Sequence, residues 1–438
     1  MQLLENVWWY LVLIGVMILI HELGHYWAAR FFDVRVETFS FGFGPRLFGF
    51  RRGETDFRFS AILFGGYVKM AGEQIGDGTP VDDPRAFLAK PRWQRMIIAF
   101  AGPAINIVLA VALLTGLFMF QFPKMPSQRQ PFVGYLNPDG AAAKAGIREG
   151  DRIVQIDDNL NPNWEDILFK EIASAGQPMQ VRVLRNGEYL TIPVTPVLDP
   201  KQGIGVAGWA ERAEIVLGPV REGLAASKAG LQKGDQVLAI DGQPIWSASK
   251  IHETIRESGG KPLEITYRRN GQETKTIVTP TRENLDGQER YVIGVQLEPR
   301  LEIVQLGFGA ALRESLRQNA RSATLIFKFL RGIVERRMSA KSLEGPIRIA
   351  QISGDAAREG AGPFLGLMAM VSLNLAIFNL LPIPILDGGV ILMLLIEMIM
   401  RRDLSLQFKE AVLKVGFVFL MAVVVFVLYN DLAKILPS

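Results

Sequence analysis

Residues 7–29 form an apolar run whose only charged side chain lies within one polar motif, His21-Glu22-Leu23-Gly24-His25. A run of this length and composition suits a transmembrane helix. In lipid, a single spanning segment that is not part of a barrel must be helical, because its backbone groups find no other partner. On a helix, His21 and His25 lie one turn apart on one face, where both imidazoles can reach one zinc ion. Glu22 adjoins the first of them and is placed to act as general base on a water molecule at such a site. A carboxylate and two imidazoles at bilayer depth are costly, which favours a functional reading over a polar helix-packing patch.

The chain has three histidines and no cysteine. A third zinc ligand must therefore be His252, which lies in a soluble-looking segment, or a carboxylate. Without cysteine there is no disulfide framework and no Fe–S site. The 438 residues can form several domains, and an apolar share of 49% implies a mixed membrane and soluble architecture. A net charge of +4 gives no case for nucleic acid.

Four stretches read as spans, at about 7–29, 96–120, 363–396 and 411–430. The first has no basic flank before it and carries Glu5, unlike a cleaved signal peptide. Arg30, Arg35, Arg46, Arg51 and Arg52 follow the first span, and Arg92 and Arg95 precede the second. The positive-inside rule puts that loop in the cytoplasm, and Arg401 and Arg402 agree. Both termini and the long segment between the second and third spans then lie outside. Arginines near that segment's end, Arg313 to Arg337, are a weak objection, since long loops translocate largely regardless of charge.

The long segment contains a repeat. AKAGIREGDRIVQID at 143–157 aligns without gaps on SKAGLQKGDQVLAID at 227–241. Each copy reads as a short helix ending at Gly146 or Gly230, a Gly-Asp turn, and an apolar strand. Each repeat ends in a glycine-containing strand entry, at 203–206 and 292–295. The pattern resembles PDZ domains in their circularly permuted bacterial form. That resemblance implies a loop whose N–H groups receive a peptide C-terminus, with the peptide added as a strand. A purely structural strand entry is the alternative, and His252 reads as a surface or packing residue.

Asp387 is the first charge in the third stretch, inside NLLPIPILDGG at 379–389. Pro382 and Pro384 cannot continue a regular helix, so backbone groups are freed where only a cavity or buried protein tolerates them. An unpaired aspartate there would be protonated, whereas zinc would keep it ionised. A kink holding a neutral aspartate is the bland alternative.

Taken together, HELGH, the LDG of the third stretch and the repeats between resemble the site-2 protease family of intramembrane zinc metalloproteases. The likeness is greatest to its bacterial branch with two PDZ domains, the regulator of sigma-E protease type. It covers essentially the whole chain, including GPAIN at 102–106, GGYVKM at 65–70 and LEGPI at 343–347. The resemblance implies Zn2+ held by His21, His25 and Asp387, with Glu22 catalytic. It also implies substrate contacts from Asn374 and Asn379. One departure is Val390, where many members have histidine after LDGG.

In the loop after the first span, Phe39, Phe41 and Phe43 alternate with Ser40 and Gly42, and Phe57 and Phe59 flank Arg58. Gly53 supplies a turn between the runs. This reads as a β-meander with one aromatic face against the membrane, or as a small soluble hairpin with no substrate role. In the family such a sheet holds the extended substrate, which points here to Gly65, Gly66, Tyr67 and Val68.

The expected fold is thus an α-helical polytopic membrane protein with four transmembrane helices, a cytoplasmic membrane-associated β-meander and two external PDZ-like α+β domains. Expected boundaries are 1–120 for the first membrane half, with its β-loop at about 34–70. The PDZ-like domains fall at 130–210 and 213–299, an amphipathic interfacial segment at 300–362, and the second membrane half at 363–438. The implied activity is cleavage of transmembrane segments of single-span proteins in a bacterial inner membrane, such as pre-trimmed anti-sigma factors and signal-peptide remnants. Implied partners are those substrates, peptide C-termini at the repeats, and the lipid bilayer. A non-catalytic PDZ membrane scaffold is the rival, but it has no need of a base beside two ligands. A midplane metal transporter would need ionisable residues along a path, which the second and fourth stretches scarcely offer.

Overall fold

The computed structural model describes residues 2–73, 80, 83–124, 130–199, 203–285, 288–300, 302–335 and 345–435. Arg336, Arg337 and the first two residues of the LEGPI motif lie outside them. The chain divides into two compact units, one of residues 1–122, 305–328 and 343–438, the other of 123–304 and 329–342.

The first unit is built on apolar helices. Helix α1 spans Gln2–Phe31 and α2 spans Arg92–Phe120. Further helices are Phe308–Val334, Pro346–Glu359, Ala361–Asn379, Asp387–Met400 and Leu406–Ile435. Four helical segments among the described residues are long and apolar enough to cross a membrane: Leu3–Phe31, Arg92–Phe120, Ala361–Asn379 and Gln407–Ala433. This is the architecture of a multi-pass membrane protein.

The stretch expected as one span at 363–396 is instead two helices. Its first helix stops at Asn379 and the second starts at Asp387. Pro382 and Pro384 lack the N–H groups a helix needs, and Ile385 takes a left-handed φ of 88°. The helix restarts at the aspartate itself, so Asp387 sits in a first turn, where the helix dipole favours a carboxylate. The segment expected at 300–362 contributes two helices. From Phe308–Val334, Ser315 donates to the Val111 carbonyl of α2 at 2.8 Å. Pro346–Glu359 begins with its N–H groups at Gly345 and Ile347 donating to Asp431 of the last helix, at 2.8 and 3.0 Å. That satisfies helix-start donors that would otherwise be orphaned.

Between α1 and α2 lie strands β1 (Val36–Arg52) and β2 (Thr55–Met70). Each strand is bent and pairs in two places. Phe39 faces both Phe57 and Val68, and Ser40 faces both Arg58 and Tyr67, while Phe50 faces Phe57. The limbs therefore run in the order 46–52, 55–60, 36–43, 62–70, and the limb 66–70 is paired on one side only among the described residues. The aromatic face is divided in burial. Phe39 packs with Val36, Val68 and Met70 against Ala29 and Ile98 of the helices, whereas Phe43, Phe48, Phe50 and Phe59 are exposed.

The second unit contains two strand-rich lobes with separate cores. The first centres on the strand order Asn159–Leu160, Arg152–Ile156, Met179–Arg185, Glu188–Val194, with the helix Trp164–Ile172. The second runs Gln272–Val278, Leu263–Arg269, Gln236–Ile240, Ile215–Val220, Val295–Pro299, with the helix Ala248–Glu257. The repeat is visible atom by atom. Buried Asp151 takes both arms of Arg185 at 2.7 Å, and Asp235 takes both arms of Arg269 at 2.6 Å. Each arginine also reaches the carbonyl that ends the preceding short helix, Gly146 or Gly230.

Backbone contacts correct the expected pairing of the strand-entry loops. Ala142 donates to the Ala207 carbonyl as Ala226 donates to that of Ile293, and Gly208 and Gly294 share φ values of 83° and 82°. The counterpart of 292–295 is therefore 206–209, not 203–206. Gly205 belongs to an earlier short strand pairing, Ile204–Val206 with Val197–Asp199, and the Gly203 N–H donates to the Asp199 carbonyl at its end. A second glycine-containing tetrapeptide just upstream had the same pattern, and sequence alone could not choose between them.

Candidate metal centre

One helical turn carries His21 and His25 to the same face of α1, and the restarted helix brings Asp387 to them. His21 Nε2 lies 3.2 Å from one Asp387 carboxylate oxygen, and His25 Nε2 lies 3.4 Å from the other. The two Nε2 atoms are 3.3 Å apart. Candidate donor atoms from the three residues all lie within 4.8 Å of one another. Both histidines are buried. His252 is not in this cluster; it lies exposed on a helix of the second lobe.

The surroundings aim lone pairs at the cluster. His25 Nδ1 is 2.8 Å from the Ile98 carbonyl of α2, an acceptor only, so Nδ1 holds the proton and Nε2 is left as a ligand. The other ring nitrogen of His21, Nδ1, faces the Asn106 amide at 3.4 Å. Asn106 is fully buried, and its Oδ1 finds no partner among the described residues. Turning the amide over sets that oxygen to accept from His21 Nδ1–H, which removes the orphan and frees His21 Nε2. Two imidazole lone pairs and a carboxylate then face one another with no proton to share. Such a set repels itself unless a cation lies between, and two nitrogens with one carboxylate and an open position suit catalytic zinc.

Close helix contact makes this geometry reachable. A Cβ on Gly102 would come within 2.3 Å of His25 Nε2, and one on Gly24 within 2.4 Å of the Ala101 carbonyl. Any side chain at either position would separate α1 from α2. Ser372 on Ala361–Asn379 donates to the Asn106 carbonyl at 2.8 Å, tying a third helix to the same level. Sequence reasoning gave no separate role to Asn106, Gly102 or Ser372. A signal existed: Gly102 and Asn106 share a helix face, and Asn106 is an isolated amide in an uncharged run.

Glu22 lies between the three donors, with which it interacts electrostatically, and the edge limb of β2. A Cβ on Gly66 would lie 3.0 Å from Glu22 Cγ, and the Val68 backbone N–H is turned to the Glu22 carboxylate. Gly65 has a φ of 141° and no room for a side chain beside Phe43. Tyr67 takes a hydrogen bond from Arg58. Asn379, at the end of its helix, brings its amide to 3.3 Å from His21 Nε2. Asn374 is half-buried, and its side chain makes no hydrogen bond among the described residues. Five positions before Asn379, it lies about 140° round the helix from it, so the two amides do not share a face.

The family model described as Peptidase family M50 matches residues 9–423. The regulator of sigma-E protease RseP of Salmonella typhimurium is 31% identical over 455 residues, 99% of this chain and 100% of that protein. RseP of Escherichia coli is 30% identical over 456 residues, 97% of this chain and 98% of its own length. A protein of Xylella fastidiosa named as a zinc metalloprotease is 32% identical over 449 residues, 98% and 99% of the two chains. The chain belongs to peptidase family M50, the site-2 protease family, and is a zinc-dependent intramembrane protease.

Proposed function

We propose that His21, His25 and Asp387 hold the zinc ion and that Glu22 moves the protons of peptide-bond hydrolysis. The observation that carries this reading is the convergence of the three donor residues within 4.8 Å, with Glu22 adjacent on the same helix. When bound, zinc supplies Lewis acidity, polarising the scissile carbonyl and making water a nucleophile near neutral pH. Glu22 takes the proton of the attacking water and delivers it to the leaving amide nitrogen. Asn379, beside His21, donates its amide N–H to the substrate backbone. Asn374, turned away from it, contacts another part of the substrate.

The substrate is a transmembrane segment of a single-span protein, already shortened outside the membrane, such as a trimmed anti-sigma factor or a signal-peptide remnant. Helical backbone hides its scissile bonds, so the segment must unwind before water can attack. The limb formed by Gly65, Gly66, Tyr67 and Val68 receives it as an added strand, for which the singly paired edge beside Glu22 is suited. The exposed phenylalanines at the far end of the sheet rest on the bilayer surface. Both termini and the second unit lie outside the cytoplasm of a bacterial inner membrane, as the arginine distribution indicates. The two lobes are PDZ domains, and peptide C-termini are their ligands.

Glu22→Gln tests the mechanism. Purified in detergent, the variant should retain zinc at the wild-type ratio and fail to cleave a single-span substrate. Cleavage at the normal rate by that variant would remove Glu22 from the chemistry.

A further inference from the structure

Although the two lobes share a loop, they differ in what occupies it. In the first lobe, Glu171 on the helix Trp164–Ile172 is buried and turns its carboxylate into the Ala207–Gly208 loop. One carboxylate oxygen accepts from the Ala207 N–H and the other from the Trp209 indole at 2.8 Å. The Gly208 backbone also donates to this carboxylate. Trp209 packs edge-on against Trp164, with ring centroids 6.3 Å apart, filling the space between helix and strand.

Counted from the helix N-caps, Asn163 and Ser247, the second lobe has Ile255 at the position of Glu171. An isoleucine cannot accept a hydrogen bond. Among the described residues nothing accepts from the N–H groups of Ile293 and Gly294, the counterparts of Ala207 and Gly208. That loop lines a cleft of about 1130 Å³, walled by His252, Arg256 and Leu297 of its own lobe and by Tyr135, Asn137, Gly208 and Trp209 of the first.

We infer that Glu171 is a built-in carboxylate ligand that keeps the peptide groove of the first lobe closed. This rests on reading the lobes as PDZ domains. A peptide's terminal carboxylate would accept from the same loop N–H groups that Glu171 already satisfies. An incoming peptide must expel a buried, hydrogen-bonded side chain before it can bind there. Among the described residues no such competitor stands in the second lobe, so the repeats differ in receptivity despite their common fold.

The test uses the full-length protein in detergent and a fluorescein-labelled peptide ending in a free valine carboxylate, with its amidated form as control. Wild type should bind about one free-carboxylate peptide per chain, and Glu171→Ile, which installs the second lobe's residue, about two. Two peptides on wild type, or one on both proteins, overturns the closed groove. No peptide on either protein overturns the carboxyl-terminus reading and the inhibitory role with it. Hydrogen exchange separates those failures. The Ala207 amide should exchange at least about tenfold faster in Glu171→Ile, as loss of one buried charged hydrogen bond implies. Equal exchange in the two proteins overturns the plug, whatever the peptides do. Should the isoleucine variant fail to fold, Glu171→Gln keeps the shape and removes the charge. It should then admit a second peptide more weakly, and a wild-type ratio at saturating peptide would overturn the plug.

Discussion

Asp387 meets both imidazoles and Asn106 only that of His21, and their substitutions should separate. Asp387→Ala removes a donor and leaves two histidines, a set that binds zinc weakly. Metal analysis of the purified variant should find little zinc. An unchanged zinc ratio would place the third ligand elsewhere and return His252 to consideration. Asn106→Leu removes no donor but leaves His21 Nδ1 without its partner. Losses of such supporting contacts typically weaken metal affinity about 10–100-fold, which chelator competition would register independently of turnover. Affinity equal to wild type would make Asn106 a helix-packing residue only. The difference also explains what was readable in advance. HELGH and Asp387 stood out because charge is rare in apolar runs. Asn106 did not, because a neutral amide in a helix looks like ordinary packing until the neighbouring helix is in place. Gly102 was silent for the same reason, since its small size matters only against His25 of another helix.

At the scale of elements, the prolines at 382 and 384 announced a break, but not that a helix would restart on Asp387 itself. Restarting there depends on the backbone turn at Ile385, whose positive φ no isoleucine preference would suggest. The β-loop was partly legible: alternating phenylalanines marked strands, while their order stayed hidden. Order depends on the bend that lets one limb of β1 pair on both sides, leaving 66–70 at an edge. That edge carries a prediction. Unpaired amides of an unwound substrate cost several kcal/mol each in a low-dielectric site, and strand pairing satisfies them. A proline substitution removes one donor and blocks pairing where its N–H faced the substrate. Among Tyr67→Pro, Val68→Pro and Lys69→Pro, at least one variant should lose cleavage while keeping zinc and fold. The Val68 N–H, turned to Glu22, makes residue 68 the foremost candidate. If all three cut at the wild-type rate, another element holds the substrate.

For the whole molecule, the repeat in the second unit was legible because its Gly-Asp turns align without a gap, and buried Asp–Arg pairs bear the alignment out atom by atom. Its purpose was less so, since a fold does not fix what a domain does. Each lobe has its own buried core and does not depend on the membrane helices for one. Two folded bodies joined in one chain to a protease can act by excluding substrates, with no catalytic part of their own. A substrate with a bulky external portion would be refused, and one already trimmed would pass. Deleting residues 132–298 should then permit cleavage of an untrimmed single-span substrate, with zinc content and cleavage of the trimmed form retained. The comparison needs both substrates on both proteins, because a general loss of activity would imitate selectivity. If the shortened protein binds zinc, cuts trimmed substrate and still refuses the untrimmed one, size exclusion by the lobes is wrong. Selection would then belong to the membrane unit, and the edge strand beside Glu22 would be the first place to look for it.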